Sequence, residues 1–180
     1  LSSNQCVGLS VGKDDLDKAI PFALENEFDV LLLNGCPGAS AWPELVGHPD
    51  LSVIRDTLRL LRAMNREEDI EILYFGGVRS GTDLAKMIGL GANGVALGAS
   101  LGFAMGGKLE NGDMTFAGDS TEEERAEGVA LYMKSLSSEA SIMARCTGKT
   151  NVHNIEPEDL RSITRTTAEA TGIQMPGKNA

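Results

Sequence analysis

The sequence lacks a basic surplus: 16 Lys and Arg stand against 26 Asp and Glu, a net charge of −10. Binding to a nucleic-acid backbone draws on cations that release condensed counterions, so this balance argues against nucleic acid as a partner. Cysteine is scarce as well. Three thiols in 180 residues make no disulfide framework, and the odd count fits a reducing cytosol, so a cytoplasmic location is expected. No apolar run approaches the ~20 residues of a membrane span, and the densest stretch, 30–33, is a buried strand at most, which argues against a membrane partner. An initiating Met and a signal-like segment are also missing. The chain opens on Leu1 and is expected to be a piece of something longer.

What is present suffices for a packed core, since 42% of the residues are hydrophobic and the length suits one ordinary domain. Short runs of β character alternate with helical ones. Residues 6–11 (CVGLSV) read as a strand ended by Gly12 and Lys13. Asp14 or Asp15 caps a helix whose Leu16, Ala19, Ile20, Ala23 and Leu24 share a face, with Pro21 expected to kink or delay it. Residues 28–33 (FDVLLL) form a buried strand, followed by an irregular Gly- and Pro-rich loop over 34–49, the kind that carries function. A helix is predicted over 51–65, a strand over 70–75 (IEILYF), a helix over 82–89, and a strand over 94–97 ending at Gly98. Strands alternating with helices imply parallel pairing through right-handed crossovers, so the fold class is α/β. Residues 106–119 read as a polar hairpin or surface loop. Ser120 to Glu123 read as a capping box opening a long helix to about Arg145, which Gly148 ends. Pro157 then opens a final helix reaching Thr171 and Gly172.

The most informative stretch is the strand that runs into Gly76-Gly77-Val78-Arg79. Two residues without a Cβ let a ligand approach the backbone, and the following helix begins with unpaired N–H groups carrying partial positive charge. About twenty residues on, a second strand ends in Gly98-Ala99-Ser100 and opens another short helix. Two adjacent parallel strands of this kind form an anion cradle, as at the phosphate site of the last two strands of a (β/α)8 barrel. Arg79 is placed to close on the same phosphate as a charged donor. The predicted phosphate-holding residues are therefore Gly76, Gly77, Arg79, Gly98, Ala99 and Ser100.

Residues 76–98 (GGVRSGTDLAKMIGLGANGVALG) resemble the FMN-phosphate segment of flavin-dependent TIM barrels. Residues 144–161 (ARCTGKTNVHNIEPEDLR) are similar to the C-terminal segment of the FMN-binding glutamate synthase family, which includes stand-alone glutamate synthase-like proteins and N-methylglutamate synthase large subunits. The resemblance implies the C-terminal half of a (β/α)8 TIM barrel with two tail helices: 1–106 the last four βα units, 107–119 a surface loop, 120–180 a helical extension. It implies FMN as cofactor and reduction of an imine, formed from 2-oxoglutarate and ammonia or an amine donor, to glutamate or an N-substituted glutamate. It also implies a missing N-terminal barrel half or companion subunit, within an oligomeric, multi-subunit assembly.

The sequence departs from that family in three places. The strand over 6–11 carries no lysine where family members have a flavin-contacting one, and Lys13 lies beyond its end. The next strand ends in Asn34-Gly35-Cys36-Pro37-Gly38-Ala39-Ser40 in place of an acidic residue and a Thr-containing turn. Residues 102–119 hold no cysteine, so an iron–sulfur cluster is not expected on this chain, nor any metal site. These departures motivate an alternative: a catalytically degenerate FMN- or phosphate-binding scaffold or regulatory subunit. A hydroxy-acid oxidase would need a catalytic His before the phosphate block, and neither His48 nor His153 is placed for that.

Two residues are candidates for the reacting centre. Asn34 ends a strand, and its amide can both donate and accept toward a flavin ring or substrate. Cys36 lies on the loop at that strand's C-terminal end, a candidate reactive thiol set against the plainer reading of a small buried residue. Cys146, near a helix C-terminus that disfavours a thiolate, reads as packing.

Overall fold

Four short apolar runs lie side by side as parallel strands in chain order: β1 (Gly8–Gly12), β2 (Val30–Asn34), β3 (Glu71–Phe75) and β4 (Gly94–Ala96). This arrangement is seen in a computed structural model that describes residues 5–36, 42–45, 47–116, 118 and 120–177. A helix follows each strand: α1 (Leu16–Glu25), α2 (Ser52–Ala63), α3 (Gly81–Leu90) and α4 (Ala99–Ala104). Alternation along each strand sorts its side chains onto two faces. Val11, Leu33 and Tyr74 share one register row and Leu31 and Ile72 another, all at most 5% exposed. They pack with Ile20 and Ala23 of α1, Ile54 and Leu61 of α2, and Leu90 of α3 in one core cluster. Burial of each such aliphatic side chain contributes roughly 1.5–3 kcal/mol.

Among the described residues the opposite face carries no helix from these four units. Its last row, at the strands' C-terminal ends, is Gly12, Asn34, Phe75 and Ala96. Among the described residues β1 and β4 each pair on one side only, so both edges of the sheet present unpaired backbone.

Local sequence accounts for most helix ends. Ser80 caps α3 by accepting from Asp83 N–H at 3.2 Å, and Gly91, at φ 111°, ends it in a left-handed turn. Pro21 does not break α1. The helix runs on through it from a 3-10 turn (Lys13–Asp15), forfeiting one backbone donor. The long helix α5 (Glu122–Cys146) opens one residue later than predicted: Thr121 is the N-cap and Glu124 the reciprocal partner, with bonds of 3.2 and 2.8 Å. Two strands, β5 (Lys108–Glu110) and β6 (Asp113–Thr115), pair antiparallel around Asn111 and Gly112 at φ 54° and 88°, the double left-handed turn that Asn-Gly favours.

The predicted final helix from Pro157 is not formed as such. Pro157 opens a single 3-10 turn (Pro157–Asp159), the chain extends at Leu160, and α6 (Arg165–Thr171) starts afresh from a Thr164 cap. Helix α5 lies across α3, its backbone passing so close to Gly81 that a Cβ there would collide with Leu136 and Ala140 backbone atoms. Among the described residues no helix is long and apolar enough to cross a membrane.

Candidate functional site

The turns after β3 and β4 open into one cavity of about 470 Å³. Gly77, Val78 and Arg79 form one wall, Ala99, Ser100 and Phe103 another, and Glu44, Leu45 and Tyr132 complete it. It sits at the C-terminal ends of parallel strands, where sites of this architecture form. A second cavity, of about 500 Å³, lies at the opposite ends of the strands beside Glu27, Asp29, Glu68, Asp69 and Glu71, with Arg66 paired to Asp69, a net negative lining that disfavours anions. Ser100 lines the first cavity, and its hydroxyl, hidden from solvent, has no hydrogen-bond partner among the described residues. A buried donor without a partner costs about 1–3 kcal/mol, and an oxyanion would satisfy it.

Four of the six predicted phosphate residues, Gly77, Arg79, Ala99 and Ser100, line this cavity together. Gly98 adjoins it: a Cβ there would collide with the Glu44 carboxylate and come within 3.0 Å of the Phe75 ring. Gly76 is placed differently. Its missing Cβ makes room for this chain's own Tyr74, whose hydroxyl and Cζ would lie 2.6 and 2.9 Å away, so core packing accounts for glycine at this position. Gly35 is glycine for the same reason, with Tyr74 Cε2 at 2.7 Å and the Asp50 carbonyl at 2.8 Å.

The expected pair of open helix N-termini is also revised. On α3, Glu139 of α5 accepts from Gly81 N–H at 2.9 Å and from the Thr82 hydroxyl, so that end is already capped. Those two donors hold the Glu139 carboxyl below the ordinary carboxylate range. Arg79 sits at the cavity mouth with its Nε 3.2 Å from Asp83, 79% exposed. An exposed i,i+4 pair of this kind contributes about 0.3–0.5 kcal/mol, so the guanidinium is easily redirected. Tyr132 steadies the turn by donating to the Arg79 carbonyl at 3.1 Å.

Asn34 stands in the C-terminal row of the helix-free face, between Gly12 and Phe75, the one polar side chain of that row. Its Oδ1 accepts from Cys36 N–H at 3.0 Å and shapes the loop start, which leaves the amide NH2 to face a ligand. Cys36 is half-buried. Burial, then the Glu44 charge, push its thiol up, and the Gly77 backbone N–H opposes them. The net direction favours the protonated thiol over a nucleophilic thiolate. Pro37, Gly38, Ala39 and Ser40 of the predicted turn lie outside the described residues. Cys146 is exposed at the end of α5, so its expected packing role is not found.

Lys13 does not replace the missing strand lysine. Its Nζ donates to Ser52 Oγ at 2.6 Å and Asp50 at 3.2 Å, on the α2 side. Burial would raise the Asp50 carboxyl, but the two Ser52 donors and Lys13 outweigh it and hold it low. His48 and His153 are both exposed, and neither lines the cavity. Among the described residues no group of His, Cys, Asp or Glu could hold a metal ion. Sequence reasoning missed Glu44, Phe75, Tyr132 and Glu139. Phe75 stands beside the double glycine but was given no role, while Glu44, Tyr132 and Glu139 stand in no motif and come from positions distant in sequence.

A family profile described as FMN-dependent dehydrogenase matches residues 51–118, the span from α2 through the hairpin. A glutamate synthase large subunit-like protein of Rhizobium meliloti is 30% identical across 83% of this chain, which spans only 41% of that relative. An L-lactate dehydrogenase (cytochrome) of Saccharomyces cerevisiae is 28% identical over 68% of this chain and 18% of its own length. In solved structures, the fold matches the flavin-binding domain of baker's yeast flavocytochrome b2 at a TM-score of 0.61 and 19% identity, covering 99% of this chain and 42% of that one. A mutant flavocytochrome b2 with benzoylformate matches at 0.65 and 20%, covering 99% and 39%. The helical and sheet order, the cavity at the last two strand ends and these likenesses agree, and the chain belongs to the FMN-binding, glutamate synthase-like family.

Proposed function

We propose that this chain is the phosphate-binding part of an FMN-dependent, glutamate synthase-like oxidoreductase. Its reaction would reduce an imine, formed from 2-oxoglutarate and ammonia or an amine, to glutamate or an N-substituted glutamate. The observation that carries the reading is the cavity between the β3 and β4 ends with its buried, unpartnered Ser100 hydroxyl.

The residues there fit the terminal phosphate of FMN. The Gly77 turn and Ser100 supply close, uncharged approach, Arg79 adds countercharge at the mouth, and the Ala99 N–H, which donates to Glu44 in this structure, would add a donor once released. When bound, FMN supplies the two-electron chemistry. The chain's own work is to hold and orient. Asn34 presents its amide from the helix-free face, where Phe75 stands in the same row. Cys36, kept protonated, serves as a neutral neighbour of the cavity. In the overall reaction the 2-oxoglutarate carbonyl oxygen leaves as water, and the resulting C=N bond gains a hydride at carbon and a proton at nitrogen. The remaining barrel strands would come from further chain or a companion subunit within an oligomer, and three unpaired cysteines suit a cytoplasmic setting.

A second reading, a catalytically degenerate phosphate-binding subunit, draws on one observation: the Gly12, Asn34, Phe75, Ala96 row has no lysine, and Lys13 is committed to Ser52 and Asp50. One experiment separates these. The FMN-loaded protein is reduced chemically without oxygen and given 2-oxoglutarate with ammonia or methylamine. The primary reading expects oxidised-flavin absorbance to return and the amino-acid product to form. Bound flavin that reacts with none of these mixtures overturns it in favour of the degenerate subunit. Reduction of the oxidised flavin by L-lactate would instead point to hydroxy-acid oxidation.

A further inference from the structure

The pocket assigned to phosphate already receives a carboxylate. Glu44 stands on a 3-10 turn (Pro43–Leu45) and accepts a hydrogen bond from Ala99 N–H, the first amide of α4. The same oxygen lies where a Cβ on Gly98 would be, so the absence of a side chain at Gly98 makes its seat. Glu44 is half-buried and lines the cavity together with Gly77, Arg79 and Ser100. No described Lys or Arg is ion-paired with it, and its charge reaches Cys36 nearby. A carboxylate and a phosphate at one backbone amide repel strongly in a partly dehydrated pocket.

We propose that Glu44 is a built-in competitor for the phosphate group. Without phosphate its carboxylate satisfies the Ala99 amide, and FMN must expel it to bind. The inference rests on the phosphate reading above and adds what regulates that site: the measured affinity for FMN is the intrinsic affinity discounted by the population in which Glu44 is seated. The partner is chemically specified as a phosphate monoester or free phosphate.

The test is calorimetric titration of the purified protein with inorganic phosphate, FMN and riboflavin. The variants are Glu44→Ala, the near-isosteric Glu44→Gln, and Glu122→Gln, which makes the same charge change on the exposed first turn of α5. Glu44→Ala is expected to bind phosphate and FMN about tenfold more tightly. Glu44→Gln should fall between, since its amide oxygen still accepts from Ala99 but carries no charge. Riboflavin affinity and the Glu122→Gln variant should be unchanged. Phosphate and FMN binding no tighter in Glu44→Gln and Glu44→Ala than in the wild type overturns the inference alone. Failure of wild type and variants alike to bind either phosphate probe overturns the phosphate reading and the inference with it.

Discussion

Tyr74 fills the space beside Gly35 and beside Gly76, the second of which a motif reading assigns to ligand approach. Its ring is fully buried and its hydroxyl donates to the Asp50 carbonyl at 3.4 Å, while burial pushes the phenol well above its ordinary range. Gly76→Ala is therefore expected to destabilise the fold by about 1–3 kcal/mol through overpacking. Adding Tyr74→Phe, which removes the nearest atom, should return part of that loss. Urea denaturation of the single and double variants checks this, and strict additivity would show that the two residues do not share the space. Gly98 contrasts with Gly76, because the space beside it is taken by the carboxylate of Glu44, a cavity-lining residue, and not by a core side chain. A double glycine after a strand was legible in the sequence as a tight, functional turn. Which of its members faces a ligand was not, since that depends on a side-chain rotamer two residues upstream.

At the scale of the element, α3 is held at its first turn by Glu139, from a helix more than fifty residues further along the chain. The bond lowers the Glu139 carboxyl below its unfolded value, so its contribution is fully present above the ordinary carboxylate pKa. It is lost as pH falls through the lower folded value. Glu139→Gln should thus weaken stability at neutral pH and flatten the acid limb of the stability–pH curve. Thermal melts of both proteins across that range test it, and parallel curves would contradict it. Strands, helices and their parallel order were legible because period and capping residues are local: the capping box that opens α5 stands in the sequence itself, one residue from where it was read. The misplaced Pro157 helix shows the limit. A proline and two acidic residues specify a first turn, but continuation depends on Leu160, which instead packs with Ala85 and Ile155.

At the scale of the molecule, the chain matches about two fifths of the flavin-binding domain it resembles, and among the described residues its four-stranded parallel sheet has two unpaired edges. If further βα units complete a barrel, amide exchange in Gly8–Gly12 and Gly94–Ala96 should slow when they are supplied, because these edge strands gain partners. Unchanged exchange at both edges would count against completion. The central claim is narrower: the ends of β3 and β4 hold the phosphate of FMN. Flavin fluorescence titration with FMN and with riboflavin, which differ in that phosphate, tests it most directly. The account predicts FMN bound about a hundredfold or more tightly than riboflavin, with Ser100→Ala narrowing the gap about tenfold and leaving riboflavin affinity unaltered. Equal affinity for the two flavins, or an FMN affinity indifferent to Ser100→Ala, would contradict it.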